Sequence, residues 1–168
     1  MKIGLISDTH AYLDQRIGFF FKSCDEIWHA GDIGSSEVIS GLEKIAPVVA
    51  VHGNIDGGAL KLSYPEHQRF QREGFDVWMT HIGGYPKRYD KRVYKEIYKN
   101  PPDIFICGHS HIVKVIRDQK LGLLHINPGA AGKYGFHKVR TIARMILKDK
   151  KISDLEVIEL GSKTKSIK

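Results

Sequence analysis

The chain has 168 residues, 26 Lys and Arg against 19 Asp and Glu for a formal net charge of +7, and 42% hydrophobic residues. An apolar fraction near the globular average excludes a disordered body and predicts a single domain over 1–168, with 161–168 as a flexible basic tail. No apolar run approaches the roughly 18 residues of a membrane span, and Ser7-Asp8 breaks the N-terminus before a signal-peptide core can form, so no membrane association and a cytoplasmic location are expected.

Taken in chain order, short apolar runs alternate with helical periods, the pattern of βα units. Lys2 to Ser7 reads as the first strand. Leu13, Ile17, Phe20, Phe21 and Cys24 then trace one face of a helix. Glu26 to His29 is a second strand, and Ser35 or Ser36 can cap a helix whose Val38, Leu42 and Ile45 share a face and which must end before Pro47. Val48 to Val51 is the third strand. Gln68 to Arg72 and Phe75 to Thr80 flank a Glu73-Gly74 turn and form a hairpin, and a Tyr-rich helix over Lys91 to Tyr98 stops at Asn100-Pro101-Pro102. Strands follow at Asp103 to Cys107, Val113 to Arg117, Leu121 to Ile126, Thr141 to Lys148 and Ile152 to Ile158.

Cys24 and Cys107 form no CxxC and lie in apolar stretches, so they read as buried thiols. Metal-competent residues instead gather just after strands, where a chain leaving a sheet lines a crevice. Asp8 and His10 follow the first strand, Asp32 the second, Asn54 the third, His81 the hairpin, and His109 and His111 the strand from Asp103. In extended backbone i and i+2 point the same way, so Asp8 and His10 can converge on one ion and His109 and His111 on a shared site. Asp32 has two oxygens and can bridge two ions. Gly31, Gly53 and Gly108 each precede a ligand type and allow close backbone approach.

Two divalent ions and two carboxylates leave a centre of about +2, or about +1 with a bound hydroxide, which attracts a phosphodiester anion. Such a pair acidifies a bridging water and needs no serine or cysteine nucleophile.

Asp8-x-His10, Gly31-Asp32, Gly53-Asn54, His81 and Gly108-His109-x-His111, in that order, resemble the motif set of the calcineurin-like metallophosphoesterases, in their small YfcE/MJ0936-type phosphodiesterase branch. The likeness runs over residues 1 to about 131 and takes in Asn127-Pro128-Gly129. It implies a four-layer α/β/β/α sandwich of two mixed β-sheets flanked by helices. It also implies two divalent transition-metal ions, manganese first, with iron, nickel or zinc as alternatives. Asp8, His10 and His111 would hold one ion, Asn54, His81 and His109 the other, with Asp32 between them. Asp32, Asn54 and His109 would be catalytic, acting with a metal-bridging hydroxide on a small or nucleotide-type phosphodiester.

The chain departs from the family where many members have Gly-Asn-His-Glu, because it reads Gly53-Asn54-Ile55-Asp56 and lacks the usual general acid. Losing a general acid costs about 10²- to 10⁴-fold, so a phosphodiester with a stable or strained leaving group is expected as substrate rather than an alkyl monoester. Ile82 replaces the usual Gly after the fifth-strand His, and Ala130 to Phe136 lacks the common Ser and Pro-Arg elements. The alternative is a protein-binding scaffold resembling the retromer subunit of this fold. The remaining histidines, His29, His52, His67, His125 and His137, read as structural or solvated, with His29 and His52 near enough to support ligands. Lys87, Arg88, Lys91 and Arg92 interleave with Tyr85, Tyr89 and Tyr94 as a basic aromatic rim. The charge supports nucleic acid as a partner only weakly, and a homo-oligomer stays open.

Overall fold

The computed structural model describes residues 1–163. Its first part alternates strand and helix: β1 (Lys2–Ile6), α1 (Ile17–Phe21), β2 (Glu26–His29), α2 (Ser36–Glu43), β3 (Val48–Ala50) and α3 (Gly58–Ser63). The rest is mostly β: β4 (His67–Arg72), β5 (Phe75–Thr80), β6 (Gly84–Tyr85), β7 (Arg88–Tyr89), α4 (Lys91–Lys99), β8 (Ile104–Ile106), β9 (Lys114–Asp118), β10 (Leu123–Asn127), β11 (Val139–Lys148) and β12 (Lys151–Ser162).

Two five-stranded sheets result, in the orders β12-β11-β1-β2-β3 and β4-β5-β8-β10-β9. Both are mixed: β1, β2 and β3 run parallel beside antiparallel β11, and β5, β8 and β10 run parallel between antiparallel β4 and β9. Strand periodicity sorts the side chains into three apolar layers. Ile3 and Leu5 of β1 enter the layer between the sheets, meeting Val77, Met79, Ile104 and Ile106. Ile6 faces the other way, with Ile17 and Phe21 of α1 and Val38 and Leu42 of α2. On β8, Phe105 points outward to Val93 and Ile97 of α4. The helices thus cover both outer faces, which is the expected α/β/β/α sandwich. Each fully buried Ile, Leu or Phe contributes about 1.5 to 3 kcal/mol to holding these layers.

Several details differ from the sequence reading. The first helix is a single short turn, because Leu13 and Cys24 reach the core from the flanking loops rather than from α1. Ser35 stands at the N-cap of α2 but makes no side-chain cap bond. Helix α3 and the β6-β7 hairpin were not expected: α3 buries only Leu60 and so carries no apolar period, and each hairpin strand is two residues long. Strand β12 takes in Gly161 and Ser162, which pair with Arg140 and Val139, so the tail starts later than expected. Residues 164–168 of that tail lie outside the described residues. Both cysteines are free and buried. Among the described residues no helix is long and apolar enough to cross a membrane.

Candidate metal centre

The C-terminal ends of β1 and β2 in one sheet and of β5 and β8 in the other open on the same side, and backbone bonds lock them together. Asp8 N–H donates to Gly31 O (3.0 Å), His10 N–H to Asp32 O (3.0 Å) and Gly108 N–H to His81 O (3.0 Å). The loops could not approach this closely with side chains at two of the glycines. A Cβ on Gly53 would lie 2.1 Å from Asp32 Oδ1, and one on Gly108 would lie 2.0 Å from Ser7 Oγ.

Asp8, His10, Asp32, His109 and His111 all have left-handed backbone, with φ of 53°, 48°, 52°, 66° and 57°. Asp and His tolerate this region better than most residues, and non-glycine residues held there concentrate at functional sites. The extended geometry expected for Asp8-x-His10 and His109-x-His111 is therefore not what brings these side chains inward.

Two groups form. Asp8, His10 and His111 present ligand atoms all within 4.8 Å of one another, as do Asp32, His81 and His109. His109 and His111 thus fall in different groups, against the spacing argument for a shared site. The groups meet at the carboxylates. Asp32 Oδ2 is 3.8 Å from His10 Nε2, while its Oδ1 is 3.2 Å from His81 Nε2. Asp8 Oδ1 is 3.1 Å from His111 Nε2 and 3.9 Å from His81 Nε2. Asn54 is exposed and shares with His81 the lining of a cleft of about 190 Å³.

Hydrogen bonds settle which atoms face inward. His81 Nδ1 is 2.7 Å from Ala30 O, a pure acceptor, so Nδ1 carries the proton and the Nε2 lone pair is turned to the carboxylates. Asp8 Oδ2 accepts from Ser7 Oγ (2.6 Å) and from the His109 N–H (3.1 Å), leaving Oδ1 for the centre. Asp8 Oδ1 and His81 Nε2 are buried and make no hydrogen bond. Buried polar atoms without partners are costly, and two in one spot beside the imidazoles of His10, His109 and His111 fit cations between the groups. The mixed oxygen and imidazole donors, without thiolate, suit borderline first-row metals. Burial alone would lower the His81 imidazole, yet the carboxylates of Asp32 and Asp8 hold it above its ordinary value. His109 is lowered by burial and by its neighbour His81.

Residues around the centre hold its loops. Asp56, 3% exposed, accepts the N–H groups of Ile33 (3.0 Å), Gly34 (2.7 Å) and Gly53 (2.8 Å), joining the loops of Asp32 and Asn54. Ile55 N–H donates to Asp32 Oδ1 (3.1 Å). His29 is fully buried: it accepts from Gly31 N–H at Nδ1 (3.2 Å) and donates from Nε2 to Thr9 Oγ1 (2.9 Å). Asn127 Nδ2 donates to Gly108 O (2.8 Å) and Ser110 Oγ (3.1 Å). His137, expected to be structural or solvated, instead stands behind a ligand candidate: its Nδ1 is 3.1 Å from His111 Nδ1 and its Nε2 is 3.0 Å from Gly132 O. At a sequence separation of 26, no spacing signal links that pair.

The chain as a whole is similar to known proteins. A protein of Methanothermobacter thermautotrophicus named "Probable metallophosphoesterase" is 31% identical over 137 residues, 77% of this chain and 77% of that protein. Phosphodiesterase MJ0936 of Methanocaldococcus jannaschii is 27% identical over 150 residues, covering 80% of this chain and 86% of its own length. The crystal structure of Vps29 complexed with Zn²⁺ from Entamoeba histolytica shares the fold, with a TM-score of 0.76 at 17% identity over 98% of this chain and 100% of that one. The family model of the calcineurin-like phosphoesterase superfamily domain matches residues 1–150, and the chain belongs to that superfamily.

Proposed function

We propose that the chain is a dinuclear metal-dependent phosphodiesterase that hydrolyses a small or nucleotide-type phosphodiester. One observation carries the reading: Asp32 turns one oxygen toward His10 and the other toward His81, so a single carboxylate faces both groups. Asp8, His10 and His111 would hold one ion and Asn54, His81 and His109 the other, with Asp32 placed to serve both, manganese being the first expectation and iron, nickel or zinc the alternatives. Two such ions, when bound, supply an acidified water and charge neutralisation for the phosphate.

The chain's own residues do the rest. Ser7 and the His109 N–H fix Asp8, Ala30 O fixes the His81 tautomer, and the Ile55 N–H fixes Asp32, so the ligand atoms are held in place before substrate arrives. Position 55 offers only this backbone group, with no acid in its side chain. A leaving group that departs without protonation is the consequence, which favours diesters of acidic alcohols.

Hydrolysis of a chromogenic phosphodiester with added Mn²⁺ tests the reading. The wild type should turn over, and Asp32→Asn and His109→Ala should lose most of that rate. Undiminished turnover in metal-free protein or in either variant overturns it. An inert wild type that saturably binds a protein partner would instead support the scaffold reading.

A further inference from the structure

We propose that the cavity beyond His109 is a subsite for a second phosphate on the substrate, so that the favoured diester carries a phosphomonoester group next to the one that is cleaved. This rests on the phosphodiesterase reading above. The cavity has a volume of about 450 Å³, within the range of small-molecule sites, and His109 and Ser110 form the end nearest the centre. Because the His109 ring packs edge-on against His81 at 5.2 Å, one side chain joins the two spaces. A phosphodiester held at the centre would extend its next group past His109 into this cavity.

The charges lining it are unbalanced. Arg92 is offset by Asp90 at 2.9 Å, but Arg88 and Lys114 have no carboxylate partner among the described residues. Lys114 Nζ instead rests 3.7 Å from the centre of the Tyr85 ring, and Tyr85 pairs with Arg88 across the β6-β7 hairpin, so Arg88 of the hairpin and Lys114 at the start of β9 line the same cavity. Ser110 Oγ accepts from Asn127, leaving its hydroxyl hydrogen to donate. A guanidinium fork, an ammonium and a hydroxyl match a dianion with three acceptor oxygens. At the base, His125 is 1% exposed and its Nε2 donates to Gly84 O at 3.0 Å. Its Nδ1 is therefore an acceptor, buried without a hydrogen-bond partner.

A matched pair of substrates tests this: thymidine 5′-(p-nitrophenyl phosphate) with and without a 3′-phosphate, assayed on the full chain with Mn²⁺. The kcat/KM ratio should favour the 3′-phosphorylated diester by about 10-fold or more and fall toward unity in the Arg88→Gln, Lys114→Gln double variant. Calorimetry on metal-free protein should show the same preference for thymidine 3′,5′-bisphosphate over thymidine 5′-monophosphate, lost in the same variant. No preference in the wild type, or one that survives in the variant, overturns the subsite. If neither diester turns over while the calorimetric preference holds and is lost in the variant, the phosphodiesterase reading fails and the anion site stands.

Discussion

His137 Nδ1 lies 3.1 Å from His111 Nδ1, and its other nitrogen lies 3.0 Å from the carbonyl of Gly132. That carbonyl can only accept, so the His137 proton is on Nε2 and Nδ1 is left to accept from His111. Burial first, and then the adjacent His111, hold His137 below the ordinary histidine value and keep it neutral. His111 must then carry its proton on Nδ1, which aims the Nε2 lone pair at Asp8. The His137→Ala variant should bind metal about 10- to 100-fold more weakly while remaining folded. Metal titration checks the affinity, and ¹⁵N shifts of His111 should show its fixed tautomer lost. Unchanged affinity would refute the relay.

Asp32 offers one oxygen to each group, so removing its charge should cost more than an ion's worth of affinity at either site alone. For Asp32→Asn the expected result is a fall from two bound ions to one or none per chain, with at least a roughly hundredfold drop in kcat. Elemental analysis after dialysis measures the first and steady-state assay the second. Two retained ions would count against Asp32 as the shared ligand.

Asp56 satisfies three backbone N–H groups from two loops while itself buried. Leaving buried donors without an acceptor costs about 1 to 3 kcal/mol each, so Asp56→Ala should lose about 3 kcal/mol or more in urea unfolding. Asp56→Asn keeps an acceptor oxygen and should lose less. Equal stability of all three proteins would show that water replaces the carboxylate.

Burial lowers the His29 imidazole from 6.5 to about 4. Between those values the unfolded chain takes up a proton that the folded chain refuses, so folding stability is full above pH 6.5 and falls as the pH drops toward 4. A proton on Nδ1 would also oppose the Gly31 N–H that now donates to it. Metal-free protein should therefore show a falling urea midpoint across this window, and His29→Gln should flatten the decline. A variant with the same pH dependence as the wild type would assign the effect to other groups.

Apolar periodicity was enough to locate β1, β2, β4, β5 and α4 almost to the residue, because each puts side chains into layers on one or two faces and so writes its period into the chain. The β6-β7 hairpin has no room for a period, and α3 packs a single residue; neither could be read that way. The departure of Asp8 and His10 from extended backbone was equally invisible, since left-handed φ follows from the loops being tied to Gly31, Asp32 and Ile33 across the sheet.

Local chemistry along the chain determined which side chains lie at strand ends, because strand alternation and glycine placement act over a few residues. The ordered motif set, through its family resemblance, already implied that His109 and His111 serve different ions with Asp32 between them, although strand spacing pointed the other way; only the packing of one sheet against the other decided that Asp56 ties two loops and that His137 backs His111. Those relationships depend on distances between segments far apart in the chain, and no short-range pattern encodes them.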